Sequence, residues 1–152
     1  MLATLIEHMV WADARAHASI AEMPESAARD RAVSIFAHIV AIEHAWLARF
    51  EQREIEHAQW PPWSLETAGT LAISSGAGLR SIVTAAGPEG LGATVTYRTR
   101  AGAEGRNTLS EILMHVALHG THHRGQIALL VRDGGGAPAS TDFSTYLRER
   151  NA

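Results

Sequence analysis

The chain has 152 residues, enough for one domain with a single sizeable core. Its formal net charge is −3 and it shows no basic patch, so nucleic-acid binding is not expected. No apolar run approaches the roughly 20 residues of a membrane helix, and the N-terminus lacks the cationic start of a signal peptide. Cysteine is absent, which excludes disulfides and catalysis by a thiol of the protein itself. We therefore expect one cytoplasmic domain over residues 1–152.

Two long helices are predicted in the first third of the chain. Apolar residues recur at helical spacing over residues 2–22, and Pro24 closes this segment. The same spacing predicts a second helix over residues 26–52. The Trp-Pro-Pro-Trp sequence at residues 60–63 predicts a stiff loop, because two prolines cannot lie inside a helix.

A third helix and a hairpin are predicted next. Ser64 can cap a helix that extends to about Ala86, although glycines within it weaken the pattern. The glycines and proline of residues 87–90 break the chain. Residues 93–97 alternate and are β-branched, and the Gly-rich stretch after them predicts a short hairpin.

The last third of the chain predicts a fourth long helix and a short terminal one. Residues 108–111 form a capping box, and the glycines at 134–136 end the helix that follows. Asp142 is expected to cap a terminal helix through Tyr146. Four long helices of similar length predict an all-α fold, a four-helix bundle with a short β-hairpin before the last long helix.

Histidines at four-residue steps mark the fourth helix as a candidate metal-binding element. His115, His119 and His123 follow one another at this spacing, at which two imidazoles can bind one metal ion. On a helical wheel, His119 and His123 fall in or at the border of the apolar stripe, whereas His115 and His122 lie outside it. Buried imidazoles need polar partners. We therefore predict that His119 and His123 are ligands, with hydrogen bonding in a core as the alternative.

A third ligand is expected from the second helix. His38 and His44 each lie about 40° outside an edge of its apolar stripe, so periodicity does not choose between them. Glu43 lies within the stripe, and a buried carboxylate needs a partner. Two interpretations remain open for Glu43: a catalytic general base or orienting group near the metal, or a structural bond to an Arg or Trp.

The motifs of this chain resemble those of the DinB/YfiT-like metalloprotein family over nearly its whole length. The similar segments are His119-Gly120-Thr121-His122-His123-Arg124-Gly125-Gln126; His38-Ile39 with Glu43, Trp46-Leu47 and Arg49; Trp11-Ala12-Asp13; Tyr97-Arg98 with Gly102; and Asp142-Phe143 with Tyr146-Leu147. The family usually has Asn where this chain has Asp13. The resemblance implies a bundle of up-down-down-up topology, commonly a homodimer. It also implies a metal site of His38, His119 and His123, and it alone selects His38 over His44.

The resemblance leaves two classes of function open. It implies a divalent transition metal, zinc or nickel before iron or manganese, and characterised relatives include transferases that use low-molecular-weight thiols. The first reading is therefore a metal-dependent enzyme, a thiol S-transferase or a hydrolase, acting on a small-molecule substrate. The alternative is a non-catalytic protein that binds metal or a partner in a stress response. His44, His115 and His122 are predicted not to be ligands.

Overall fold

The computed structural model describes residues 1–99 and 101–152 of the chain. Within them lie four long helices, α1 (Leu2–Ala21), α2 (Ala27–Phe50), α3 (Leu65–Gly90) and α4 (Leu109–Asp133), a hairpin of β1 (Thr94–Arg98) and β2 (Glu104–Thr108), and a short helix α5 (Phe143–Arg150). The predicted order of elements is therefore confirmed, and each long helix begins within a residue of the predicted position.

Side-chain caps explain where three of the long helices begin. The hydroxyls of Ser26 and Ser64 accept backbone N–H groups in the first turns of α2 and α3. Thr108 and Glu111 form the predicted capping box of α4. Asp142 precedes α5 as predicted but makes no side-chain cap hydrogen bond. Gly87, at a φ of 58°, kinks α3 near its predicted end.

The core consists of two apolar clusters, one toward each end of the bundle. The first contains Ile6 and Leu113 from the early turns of α1 and α4, and Trp46 and Val83 from the late turns of α2 and α3. The second cluster contains Ile20 and Ile127 from the late turns of α1 and α4, and Phe36 and Ala68 from the earlier turns of α2 and α3. Thus α1 and α4 run in one direction while α2 and α3 run in the other, which confirms the up-down-down-up bundle.

The helix neighbours decide which histidines can meet. α2 contacts both α3 and α4, and α1 contacts the same two helices, so α1 and α2 face each other across the bundle diagonal. The adjacency of α2 and α4 lets His38 approach His119. Near the C-terminal end of α2 the hairpin packs against the bundle. There Tyr97 lies edge-on against Trp46, with 4.7 Å between ring centroids.

The second helix is apolar enough to resemble a membrane span. By length and a mean hydropathy of 1.2, α2 meets the criteria for crossing a membrane, which the sequence analysis did not anticipate. However, 61% of that stretch is buried inside the bundle. Such burial is typical of the core helix of a soluble protein.

Candidate metal centre

Three histidines from two neighbouring helices converge at one point in the bundle. His38 of α2 and His119 and His123 of α4 each offer a ring nitrogen, and these atoms all lie within 4.8 Å of one another. The Nε2 atoms of His38 and His119 are 3.1 Å apart. Two nitrogens bound to one tetrahedral zinc ion lie about 3.3 Å apart. The spacing therefore fits shared coordination of one ion.

Hydrogen bonds on the outer side of two of these rings fix which nitrogen faces inward. His38 Nδ1 donates to the backbone carbonyl of Gln59 at 2.8 Å, since a carbonyl oxygen can only accept. His123 Nδ1 lies 2.7 Å from Gln126 Oε1, which likewise accepts. In a neutral ring the other nitrogen, Nε2, then carries the lone pair that a metal needs. Both rings are thus held in the tautomer required of ligands.

A tryptophan covers the site from the loop between α2 and α3. The ring of Trp60 stacks on His38 with centroids 3.8 Å apart and planes 6° from parallel. It also meets His123 edge-on at 6.1 Å. His38 is only 3% exposed, whereas Trp60 is 51% exposed. Trp60 therefore shields the histidines from one side while its own outer face contacts solvent.

Burial and mutual repulsion keep His119 uncharged. Desolvation, and after it the neighbouring rings of His123 and His38, together lower the pKa of His119 to about 3. An imidazole must be neutral to bind a metal ion, so this environment favours the ligating form. Imidazole nitrogen suits zinc, nickel, copper and iron. The residues therefore fit a transition-metal ion, and three protein ligands leave a coordination position open.

The remaining candidate histidines lie outside this cluster. His115 is exposed on α4, one turn before His119. His122 is also exposed and directly precedes His123 in the sequence. His44 lies 3.4 Å from the hydroxyl of Ser74, on the side of α2 that faces α3. None of the three belongs to the group that could hold a metal among the described residues. That they are not ligands stays a prediction.

Glu43 is buried as the wheel predicted, at 1% exposure, but its polar partners come from α3 and α1. Ser75 Oγ donates to Glu43 Oε2 at 2.8 Å. Burial raises the pKa of Glu43 well above its usual range, and the charge of Asp13 and a hydrogen bond with Asp13 raise it further. Glu43 Oε1 has no partner while the group is charged. A protonated Glu43 can donate to Asp13, so the acid form satisfies both oxygens.

The rest of the α4 motif anchors this helix to α1. Arg124 is buried and donates to Asp13 at 2.7 Å and to Thr121 Oγ1 at 3.0 Å. Gly120 makes room for it, because a Cβ there would lie 2.6 Å from Arg124 Nη1. The motif therefore serves two purposes: His119 and His123 face α2, and Gly120, Thr121 and Arg124 hold α4 against α1.

Three contributors to the site escaped the sequence analysis. Gln126 lies three residues after His123, a spacing that puts both on one helix face, and this signal was available. The carbonyl of Gln59 and the ring of Trp60 come from a loop without periodicity. For Trp60 the sequence predicts only a place in a stiff loop. Nothing in the sequence connects that loop with His38.

Comparison with known proteins agrees with this description. A sequence model of the DinB family matches residues 1–151. The chain is also similar to "Protein DinB" of Bacillus subtilis (strain 168), at 26% identity over 159 aligned positions that cover 94% of this chain and 91% of the relative. No solved structure matches the chain significantly. Since the family match spans nearly every residue, including all three histidines, the chain belongs to the DinB family.

Proposed function

We propose that this protein binds one divalent transition-metal ion through His38, His119 and His123 and transfers a low-molecular-weight thiol to an electrophile. The observation that supports it most directly is the set of three convergent rings, two of them held by outer hydrogen bonds in the ligating tautomer. Outer partners of this kind are typical of metal-binding histidines.

The open side of the cluster favours a catalytic site over a structural one. Structural zinc sites usually have four protein ligands, whereas catalytic sites have three and leave a position for water or substrate. His119 lines a cavity of about 340 Å³ that extends toward the hairpin. A bound metal would lower the pKa of a thiol and hold the thiol as its anion.

The surroundings favour a thiol over water as the nucleophile. Metal-dependent hydrolases commonly use a carboxylate as general base. Among the described residues that line the cavity none is acidic, and Glu43 has its pKa raised and bonds to Ser75. A thiol needs less help, because its pKa of about 8.5 is far below that of bulk water before any metal contact. The chain has no cysteine, so the thiol must come from a cosubstrate.

The roles of the protein side chains follow from their contacts. Gln59 and Gln126 orient His38 and His123, and Trp60 excludes water from one side. In the transfer, a bond forms between the thiol sulfur and the electrophilic carbon. The leaving group departs with its bonding electron pair, and the thiol proton passes to solvent. Glu43, tied to Asp13 and Ser75, serves this arrangement as a structural group.

Several finer predictions accompany the proposal. Zinc or nickel is preferred over iron and manganese, because divalent manganese and iron generally bind a given site more weakly than nickel or zinc. A homodimer and a role in a stress response remain predictions that the resemblance implies, and the cytoplasmic location remains a prediction from the N-terminal sequence. These do not depend on the geometry of the histidines.

The test is a panel of small thiols with a chromogenic aryl halide, using metal-loaded wild type and His119→Ala. We expect thiol-dependent turnover in wild type that falls at least about a hundredfold in the variant, since outer groups alone already change activity by 10–100-fold. An ester and an anilide serve as substrates for the hydrolase alternative. If wild type binds metal but turns over none of these faster than His119→Ala, the protein is a non-catalytic metal-binding member.

A further inference from the structure

The cavity beside the histidines has a lining that indicates the class of molecule it binds. It lies between α2, α4 and β1, and its described lining includes Ile42, Trp46, Arg49, Tyr97, His115 and His119. One end is formed by His119, a member of the candidate metal centre. Arg49 brings a permanent positive charge, and no described lining residue is acidic. The cavity therefore favours an anion.

Two aromatic rings position the guanidinium of Arg49 at the cavity. Its Cζ lies 4.6 Å from the ring centroid of Trp46 and 6.0 Å from that of Tyr97. Stacking of this kind uses the flat face of the guanidinium. A carboxylate is bound along the N–H edge, in two parallel hydrogen bonds. The stacking contacts are therefore compatible with a carboxylate on the same side chain, and they restrict where it can lie.

The spacing along α2 limits the length of the ligand. His38, Ile42, Ala45, Trp46 and Arg49 recur at helical spacing on one face of α2. The guanidinium lies over Trp46, eight residues beyond His38, which corresponds to about 12 Å along the helix axis. On α2 the side chains between them are apolar, whereas on α4 the ring of His115 lies between His119 and Trp46, 5.9 Å and 6.2 Å from their rings. A molecule that touches both ends must therefore be elongated, with an apolar side toward α2.

We propose that this cavity binds a substrate that carries a carboxylate on an elongated apolar body. The carboxylate bonds to Arg49, the body packs on Ile42 and Trp46, and the reacting group lies at His119. The identity of the reacting group rests on the proposed function. The contact between the carboxylate and Arg49 does not, because it needs no metal.

The first experiment measures this contact in chelator-treated protein by titration calorimetry, comparing octanoate with octanamide. We expect wild type to bind octanoate about tenfold more tightly, as one charge-assisted hydrogen-bond pair provides. Arg49→Gln should abolish the preference, and Arg49→Lys should retain part of it. Arg53→Gln is the matched control, since Arg53 is an exposed partner of Glu51 four residues further along and does not line the cavity.

Thermal unfolding of each variant shows whether it is folded. If folded Arg49→Gln keeps the full preference for octanoate, or if Arg53→Gln loses as much, the assignment of Arg49 is overturned. Equal binding of octanoate and octanamide by wild type overturns the carboxylate itself. Should Arg49→Gln unfold, Arg49→Lys decides: it must still prefer octanoate over octanamide.

The second experiment identifies which substrate carries the carboxylate. Cobalt-loaded protein is titrated with mercaptooctanoate and mercaptooctanol, and thiolate binding is followed by the cobalt charge-transfer band. Tighter, Arg49-dependent binding of mercaptooctanoate assigns the carboxylate to the thiol. The alternative outcome has two parts: both thiols bind equally, and turnover shows an Arg49-dependent preference for chloronitrobenzoate over chlorodinitrobenzene. That outcome assigns the carboxylate to the electrophile. Protein that prefers octanoate but takes up no cobalt would contradict the proposed function and leave this inference standing.

Discussion

The imidazole of His123 differs from that of His38 in what holds it. His38 is fixed by a backbone carbonyl and a stacked ring, whereas His123 is fixed by the side chain of Gln126, which is exposed. A side-chain partner is easier to lose than a backbone one. The orientation of His123 is therefore the more adjustable of the two.

Replacing His123 with Ala should remove stoichiometric metal binding, because the two remaining imidazoles are too few for a stable site. The measurement is elemental analysis of purified protein after dialysis against a limiting chelator. His115→Ala is the control, since it removes an exposed imidazole one turn from His119 without touching the cluster. Full metal loss in His115→Ala, or full retention in His123→Ala, would place the site elsewhere.

Glu43 is expected to set a pH dependence of stability opposite to that of an ordinary carboxyl group. Its pKa is raised in the folded protein, so the folded state holds a proton that the unfolded state releases above about 4.5. The contribution of Glu43 to the free energy of unfolding is therefore largest below that pH, and it declines as the pH rises toward the pKa of Glu43 in the folded protein. Glu43→Gln should be at least as stable as wild type at pH 8 and should show less of this decline in urea unfolding.

The same variant separates the two interpretations of Glu43. Glutamine can accept from Ser75 and donate to Asp13, as the protonated acid does, so a structural role predicts unchanged metal content and turnover. A catalytic base cannot be replaced in this way. Loss of turnover in a stable, metal-loaded Glu43→Gln would show that Glu43 takes part in the reaction.

At the scale of the element, two glycines in α4 make a matched pair. A Cβ at Gly120 would lie 2.6 Å from Arg124 Nη1, while one at Gly125 would meet nothing within 4 Å. The end of an Arg side chain usually moves aside, but this one is buried in an ion pair with Asp13. Gly120→Ala should therefore destabilise the protein by about 1–3 kcal/mol.

Gly125→Ala should stabilise it by up to about 1 kcal/mol, because Ala has the higher helix propensity. Urea unfolding of both variants against wild type gives the comparison. Equal stabilisation by both substitutions would mean that Arg124 can leave Asp13 at little cost.

The helices could be predicted from the sequence because their ends and faces are encoded locally. The capping box at Thr108 and the periodicity of α4 gave its start and the inward direction of His119 and His123. The position of His38 could not be derived in this way. Its ring lies outside the apolar stripe of α2 and is buried by the loop that carries Gln59 and Trp60. Burial that a loop creates leaves no periodic pattern in the helix.

At the scale of the whole molecule, a polar layer separates the two apolar clusters. Asp13, Glu43, Ser75 and Arg124 belong to it, one from each long helix, and all four are buried. Buried polar groups must be bonded, so this layer fixes how the helices are aligned along their axes. The correct alignment of α2 and α4 is also what brings His38 level with His119.

The metal-free protein should lose stability as pH falls below about 6.5. The pKa of His119 is lowered to about 3 in the folded state, so between these values the unfolded chain binds a proton that the folded protein does not. The contribution is present above pH 6.5 and is lost progressively toward pH 3. His119→Gln should reduce this slope when the urea midpoint is measured at pH 7, 6 and 5. An identical slope in the variant would mean that His119 remains accessible to protons.

The stacking of Trp60 on His38 links the metal centre to the long connection between α2 and α3, residues 51–64. A bound metal would immobilise His38 and with it the carbonyl of Gln59 and the ring of Trp60. A metal ion that binds only the folded site protects the folded form from cleavage. Glu54 and Glu56 lie in this connection, so a glutamate-specific protease should nick the metal-free protein there faster than the loaded one. The cleavage rate would then report occupancy of the centre without any knowledge of its substrate.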